Sequence, residues 1–207
     1  MMSPVSKSAV SSQSGFTLLE VLVAFLILSV GLLGVVGLMV NSKVSQHQAV
    51  QRTRAVELAD AMVERIRINP AAIATYNIGL NPVGPASPSG EPSPEPSPNC
   101  SSSPCTPTQL AAHDLWAWEQ SLQGQTATVA GEGADGLVSP RGCIVFTPAA
   151  PRVRSGQLSV IIQWRGLVDT ADALEDDENV CGGVSDGDEG YRRQVAVNTF
   201  VVDETEI

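Results

Sequence analysis

The fold is decided by GFTLLEVLVAFLILSVGLLGVVGLMV, residues 15–40, and by how that run is read. From Phe16 to Val40 there are 25 residues with one charge, Glu20, where about 20 apolar residues suffice to cross a bilayer. The run reads as a transmembrane helix. A polar stretch carrying Lys7 precedes it, and a positive flank keeps the N-terminus in the cytoplasm. The bulk of the chain is then expected on the far side of the membrane. A secretory signal peptide has a shorter apolar run closed by a small-residue cleavage site. Here the run is followed by Asn41, Ser42 and Lys43, so cleavage behind it is not expected.

Glu20 is costly in this setting. A carboxylate in a bilayer costs roughly 2.5–3.5 kcal/mol at a helix centre, and less near an end, so it seeks a cationic partner. Gly31, Gly34 and Gly37 recur at three-residue spacing and permit close approach of another helix.

Composition bounds the rest. The chain has 207 residues, room for one ordinary domain and an appendage; 43% are hydrophobic but only 4% aromatic. Residues 1–79 hold six Lys/Arg against four Asp/Glu, and residues 80–207 hold six against eighteen. The acidic part should repel nucleic acid, so no nucleic-acid partner is expected. All four cysteines (Cys100, Cys105, Cys143, Cys181) lie in that acidic part, as an oxidising compartment favours.

The helical pattern outlasts the apolar run. Ala55, Leu58, Ala59, Met62, Val63 and Ile66 recur at three- and four-residue steps among Arg52, Arg54, Glu57, Asp60, Glu64 and Arg67, which makes an amphipathic helix. It should stop near Asn69-Pro70, because the residue before Pro avoids the helical region. A continuous helix from Phe16 to Ile68 would be roughly 80 Å long at about 1.5 Å per residue.

The segment Gly15-Phe16-Thr17-Leu18-Leu19-Glu20 resembles the type IV prepilins. The resemblance implies that a prepilin peptidase cuts between Gly15 and Phe16 and methylates the new amino group of Phe16. It also implies that Glu20 pairs with the free N-terminal amine of a neighbouring subunit. Over residues 15–76 the text SVGLLGVVGL, the run from Arg54 through Leu58, Ala59 and Met62 to ERIRINPA, and Tyr76 resemble the PilV-type minor pilins, or type IV pilus modification proteins. The implied fold is α+β and pilin-like: a long N-terminal helix, half transmembrane and half amphipathic, packed on a small antiparallel sheet. Implied partners are other minor pilins, the major pilin, the inner-membrane assembly platform and membrane lipid. The implied location is the inner membrane, with the head in the periplasm, and then the pilus.

Residues 82–107 hold nine of the fourteen prolines, in PASPSGEPSPEPSP and its flanks, and read as an extended surface spacer. Thr106-Pro107-Thr108-Gln109 is a capping box that opens a short helix, with Ala111, Leu115, Trp118 and Leu122 on one face as far as Gly124. Trp116 and Trp118 are expected to pack in the core or at its rim. Cys143–Thr147, Leu158–Trp164 and Gln194–Val202 read as strands, with an optional edge at Thr126–Ala130. The expected organisation is a leader, 1–15, that is cleaved; the two helix halves, 16–40 and 41–69; a Pro/Ser-rich surface segment, 70–107; and a head, 108–207.

Four cysteines allow three connectivities. The favoured one joins Cys100 to Cys105 and Cys143 to Cys181. Zinc competes for them, with His113 as a fourth ligand, but the spacing lacks a CxxC pair. The acidic stretch DTADALEDDENVCGGVSDGDEG, with Asp169, Asp172, Glu175, Asp176, Asp177, Glu178, Asp186, Asp188 and Glu189, has carboxylates that suit Ca²⁺ but not the EF-hand order, and reads as a solvated loop. No metal and no cofactor are expected. The chain lacks G-x-S-x-G, Walker and HExxH patterns and has only two histidines, His47 and His113, so an enzyme is not expected. Two alternatives stand beside this reading: a type II secretion pseudopilin, which shares the Gly15-Phe16…Glu20 signature, and a binding module exposed at a pilus tip, which would present the Pro-rich spacer and the acidic loop.

Overall fold

Thr17 sets the start of the first helix. Its carbonyl accepts from the amides of Glu20 (3.0 Å) and Val21 (3.3 Å), and its hydroxyl accepts from the Glu20 N–H at 3.3 Å. The helix α1 (Leu18–Ile68) therefore begins with a capped turn. A computed structural model of the chain describes residue 15 and residues 17–84, 93–124, 128–129, 132–133, 136–169, 180–183 and 189–206. The chain divides into two compact units, Met1–Ser45 and Gln46–Ile207.

In the first unit α1 is apolar on every side, and none of it is buried within the chain: Leu18 is 80% exposed, Leu33 73% and Leu38 72%. An apolar surface of this extent exceeds what water tolerates on a soluble monomer and needs lipid or other apolar helices around it.

In the second unit the same helix turns one face inward. Gln51, Ala55, Leu58, Ala59, Met62, Val63 and Ile66 are buried at three- and four-residue steps, while Glu57, Asp60, Glu64 and Arg67 stay in solvent. Asn69-Pro70 ends the helix, and a tight turn over Pro70–Ala72 leads into a single helical turn, α2 (Ile73–Tyr76), which buries Ile73 and Tyr76. The next helix, α3 (Pro107–Leu122), opens on a reciprocal cap: the Thr106 hydroxyl accepts from the Gln109 N–H at 3.3 Å, and Gln109 Oε1 accepts from the Thr106 N–H at 2.9 Å. Trp118, 2% exposed, joins this helix to the first, its Nε1 donating to the Leu58 carbonyl at 3.0 Å.

Strands β1 (Gly79–Val83), β4 (Arg141–Pro148), β5 (Gly156–Arg165) and β6 (Arg192–Val201) form one antiparallel sheet in the order β1-β4-β5-β6. Short β2 (Thr128–Val129) and β3 (Glu132–Gly133) form a separate pair. Alternation sorts the sheet into two faces. Ile144, Phe146, Leu158, Val160, Ile162, Trp164 and Val201 join the helix residues in the main core; Cys143 and Ile161 face the other way, under Cys181. Gly142 sits where β4 passes under α3, and a Cβ there would lie 2.5 Å from the Trp118 ring, so the helix closes on the sheet only over a bare backbone.

The three long strands match the β-branched runs of the sequence. Strand β1 does not: it lies inside the 70–107 segment expected at the surface, and its five residues, GLNPV, offer too little alternation to signal a strand. It pairs because the α2 turn delivers it to β4, where Asn77 Oδ1 accepts from the Phe146 N–H at 3.0 Å.

The C-terminal residues clasp the β4–β5 turn. Glu206 accepts from the N–H groups of Val153 and Arg154 and from the Ser155 hydroxyl, while Asp203 pairs with Arg154 Nε at 3.1 Å. Hydrogen bonds from the Thr205 hydroxyl and N–H, and then the Arg154 charge, hold the Asp203 carboxyl below its ordinary value. Burial opposes ionisation of Glu206, but the Ser155 hydroxyl and the Arg154 and Val153 amides outweigh it and lower that pKa as well. A depressed folded-state pKa contributes stability above the unfolded value, near pH 4, that disappears as pH falls through the lower folded value. Asp203→Asn should therefore melt below wild type at pH 7, and thermal scans of the two proteins should converge as pH falls below the ordinary carboxylate range.

Candidate functional site

The residues singled out in the sequence cluster at the start of α1. Glu20 occupies the third helical position after the Thr17 cap, where a carboxylate complements the positive end of the helix dipole. Its side chain is exposed, and no acid or base of the described residues pairs with it in an ion pair. Thr17-Leu18-Leu19-Glu20 has the spacing of a capping box, so residue types that nucleate the helix also place the one charge at its end. Gly15 is exposed, and a Cβ there would meet nothing within 4 Å. Among the described residues nothing demands glycine at that position. Phe16, the residue expected to be cut and methylated, lies outside the described residues. Gly31, Gly34 and Gly37 are likewise open, with no atom within 4 Å of an added Cβ, and leave small steps on the exposed apolar surface.

The second group of residues fixes the far end of α1 to α3. Arg65 pairs with Asp114 Oδ1 at 3.0 Å, the Tyr76 hydroxyl donates to Asp114 Oδ2 at 2.6 Å, and Asn69 Nδ2 reaches the Pro107 carbonyl at 2.8 Å. Burial, reinforced by the Asp114 carboxylate, pushes the Tyr76 phenol far above its ordinary value, so it remains a donor throughout the physiological range. Apolar spacing alone could not reveal this polar knot. Asp114 lies 38 residues beyond Tyr76, and the α2 turn after Asn69 is what brings the three together.

The four cysteines form two disulfides, Cys100–Cys105 and Cys143–Cys181. The first closes a small ring just before the α3 cap. The second fastens the 180–183 segment over the outer face of the sheet, with Leu80 and Val145 packed against it. His113 lies mostly buried, its ring 5.4 Å from that of Trp116 and its Nε2 3.6 Å from Glu95 Oε1. Trp116 donates from Nε1 to the Ser93 carbonyl at 2.9 Å, so these two side chains hold part of the Pro-rich stretch against α3. His47 is exposed on α1. Asp172 to Glu178 and Asp186 to Asp188, considered for calcium, lie outside the described residues.

This arrangement offers anchoring and packing surfaces. The model of the prokaryotic N-terminal methylation motif matches residues 10–36, and that of the type IV pilin Tt1218 family matches residues 37–116. The first match covers Gly15, Phe16 and Glu20, and the second carries through Arg65, Asn69, Tyr76 and Asp114 as far as α3. No curated protein and no solved structure matches the chain. Together the two family matches support a type IV pilin: a structural subunit with a membrane-anchoring helix and a methylation motif.

Proposed function

We propose that this chain, a pilin by the two family matches, is a minor pilin of the PilV type that helps to start assembly of a type IV pilus. The observation that carries the reading is the pairing of an unburied apolar helix with one carboxylate in its first turn. In the membrane the helix is solvated by lipid. In a fibre, like helices solvate one another, and Glu20 meets the amine that cleavage before Phe16 creates on a neighbour. An ion pair in an apolar interior is favourable only when both charges are present, so cleavage and assembly are linked. The head stands in the periplasm and the peptidase acts on the cytoplasmic side. Partners are the major pilin, other minor pilins and the assembly platform, and loss of the chain would reduce twitching motility and adhesion.

N-terminal mass analysis of the membrane-extracted chain tests the processing step. The expected product starts at residue 16 with one added methyl group. A chain that keeps residues 1–15 refutes the reading. Deletion separates it from the secretion alternative: loss of pili with intact exoprotein secretion supports a pilus subunit, and the reverse assigns the chain to a type II secretion system.

A further inference from the structure

We propose that the outer edge of β6 is a self-association surface, where a second copy of this chain adds its own β6 to make a continuous antiparallel sheet. The two sheet edges are unequal. Strand β1 is five residues long, contains Pro82, has a register shift, and gives its Leu80 carbonyl to the Gly182 N–H at 3.0 Å. That edge is closed. Strand β6 is ten residues long and pairs with β5 through an unbroken register from Arg192↔Arg165 to Val201↔Gly156.

The Gly166 N–H donates to the Tyr191 carbonyl at 2.7 Å, which sets the alternation. Arg193, Val195, Val197, Thr199 and Val201 turn their backbone groups to β5, and Ala196, Asn198 and Phe200 turn theirs outward. Among the described residues nothing bonds to the outward groups of those three. Natural edges are guarded by Pro, Lys, bulges or covering loops. From Gln194 to its end at Val201 the strand has no Pro, no charge and no bulge, and it exposes Phe200 (49%), with Val202 (41%) exposed just beyond it.

The strand is complementary to itself. With Asn198 opposite Asn198 of the second copy, each Phe200 faces a small Ala196 and the two Asn side-chain amides meet. Large meets small, and amide meets amide. The backbone N–H and C=O groups of Asn198, Ala196 and Phe200 are all satisfied. A shallow cleft of about 450 Å³ beside Phe200, lined by Pro148, Ala149, Gln157 and Asn198, leaves room for the ring to settle as the strands close.

The test uses the full chain in detergent. Asn198→Cys should form a covalent dimer on a non-reducing gel, because residues opposed in this register lie about 5.5 Å apart at Cα, within disulfide reach. Val202→Cys, set opposite Gln194, should stay uncrosslinked. Asn198→Lys, which places like charges face to face without touching the β5 ladder, should weaken the dimer at least roughly tenfold by light scattering. A monomer at all concentrations, equal crosslinking of N198C and V202C, or a dimer unaffected by N198K overturns the proposal. So does crosslinking of N198C in cells to a different pilin, which would assign the edge to a foreign strand.

Discussion

Glu20→Ala is expected to leave the chain cut before residue 16 and methylated, yet lower its recovery in sheared pili by roughly tenfold or more. The two effects separate because the Thr17 cap uses the backbone N–H of residue 20 and not its side chain, so α1 keeps its first turn in the variant. Exposed apolar surface is also unchanged, and membrane insertion should persist. What is lost is the only charge between residues 16 and 40 able to neutralise a neighbour's new amine. A charge-assisted bond in an apolar setting is worth about 1.5–3 kcal/mol, which is the origin of the tenfold figure. Mass analysis reads processing, and immunoblots of the sheared fraction against the membrane fraction read incorporation. Normal incorporation of the variant would remove Glu20 from the assembly step.

Trp118→Ala should be the most damaging single truncation in the head, costing about 3–5 kcal/mol. The ring is 2% exposed and lies over Gly142, and its Nε1 is bonded to the Leu58 carbonyl, so α1, α3 and β4 all lose contact at once. The cavity cannot collapse readily, because the Thr106 cap at one end of α3 and the Asp114 knot along it hold the helix in place. Trp116→Ala, two residues away, removes a half-exposed ring with one bond to Ser93, and should cost about 1 kcal/mol. Denaturant titration followed by far-UV circular dichroism compares the two without relying on tryptophan emission. Similar losses would mean that α3 is seated differently.

What could be read from the sequence follows the reach of each signal. The inward face of α1 was legible residue by residue, since Ala55, Leu58, Ala59, Met62, Val63 and Ile66 keep a period that only a helix keeps. The α3 cap and the three long strands were legible for the same reason: their chemistry is local. Strand β1 was not, because a five-residue stretch with Pro82 takes its conformation from β4 and not from its own composition. Gln51, buried in a face of apolar residues, broke the expected pattern. The Arg65–Asp114–Tyr76 knot was invisible as well, because its members meet only after the α2 turn has folded back.

The disulfide ring between Cys100 and Cys105 stands directly before the Thr106 cap, and Val83 is held in the sheet on the other side of the Pro-rich stretch. Both ends of that stretch are therefore moored to fixed scaffold, and loop-closure entropy changes by only about 0.6 kcal/mol when such a tether doubles in length. Lengthening it, shortening it or decorating its serines with sugar would alter what the subunit displays while leaving its foundations untouched. The molecule thus keeps a place where novelty is cheap, distant in sequence from the residues on which its incorporation depends.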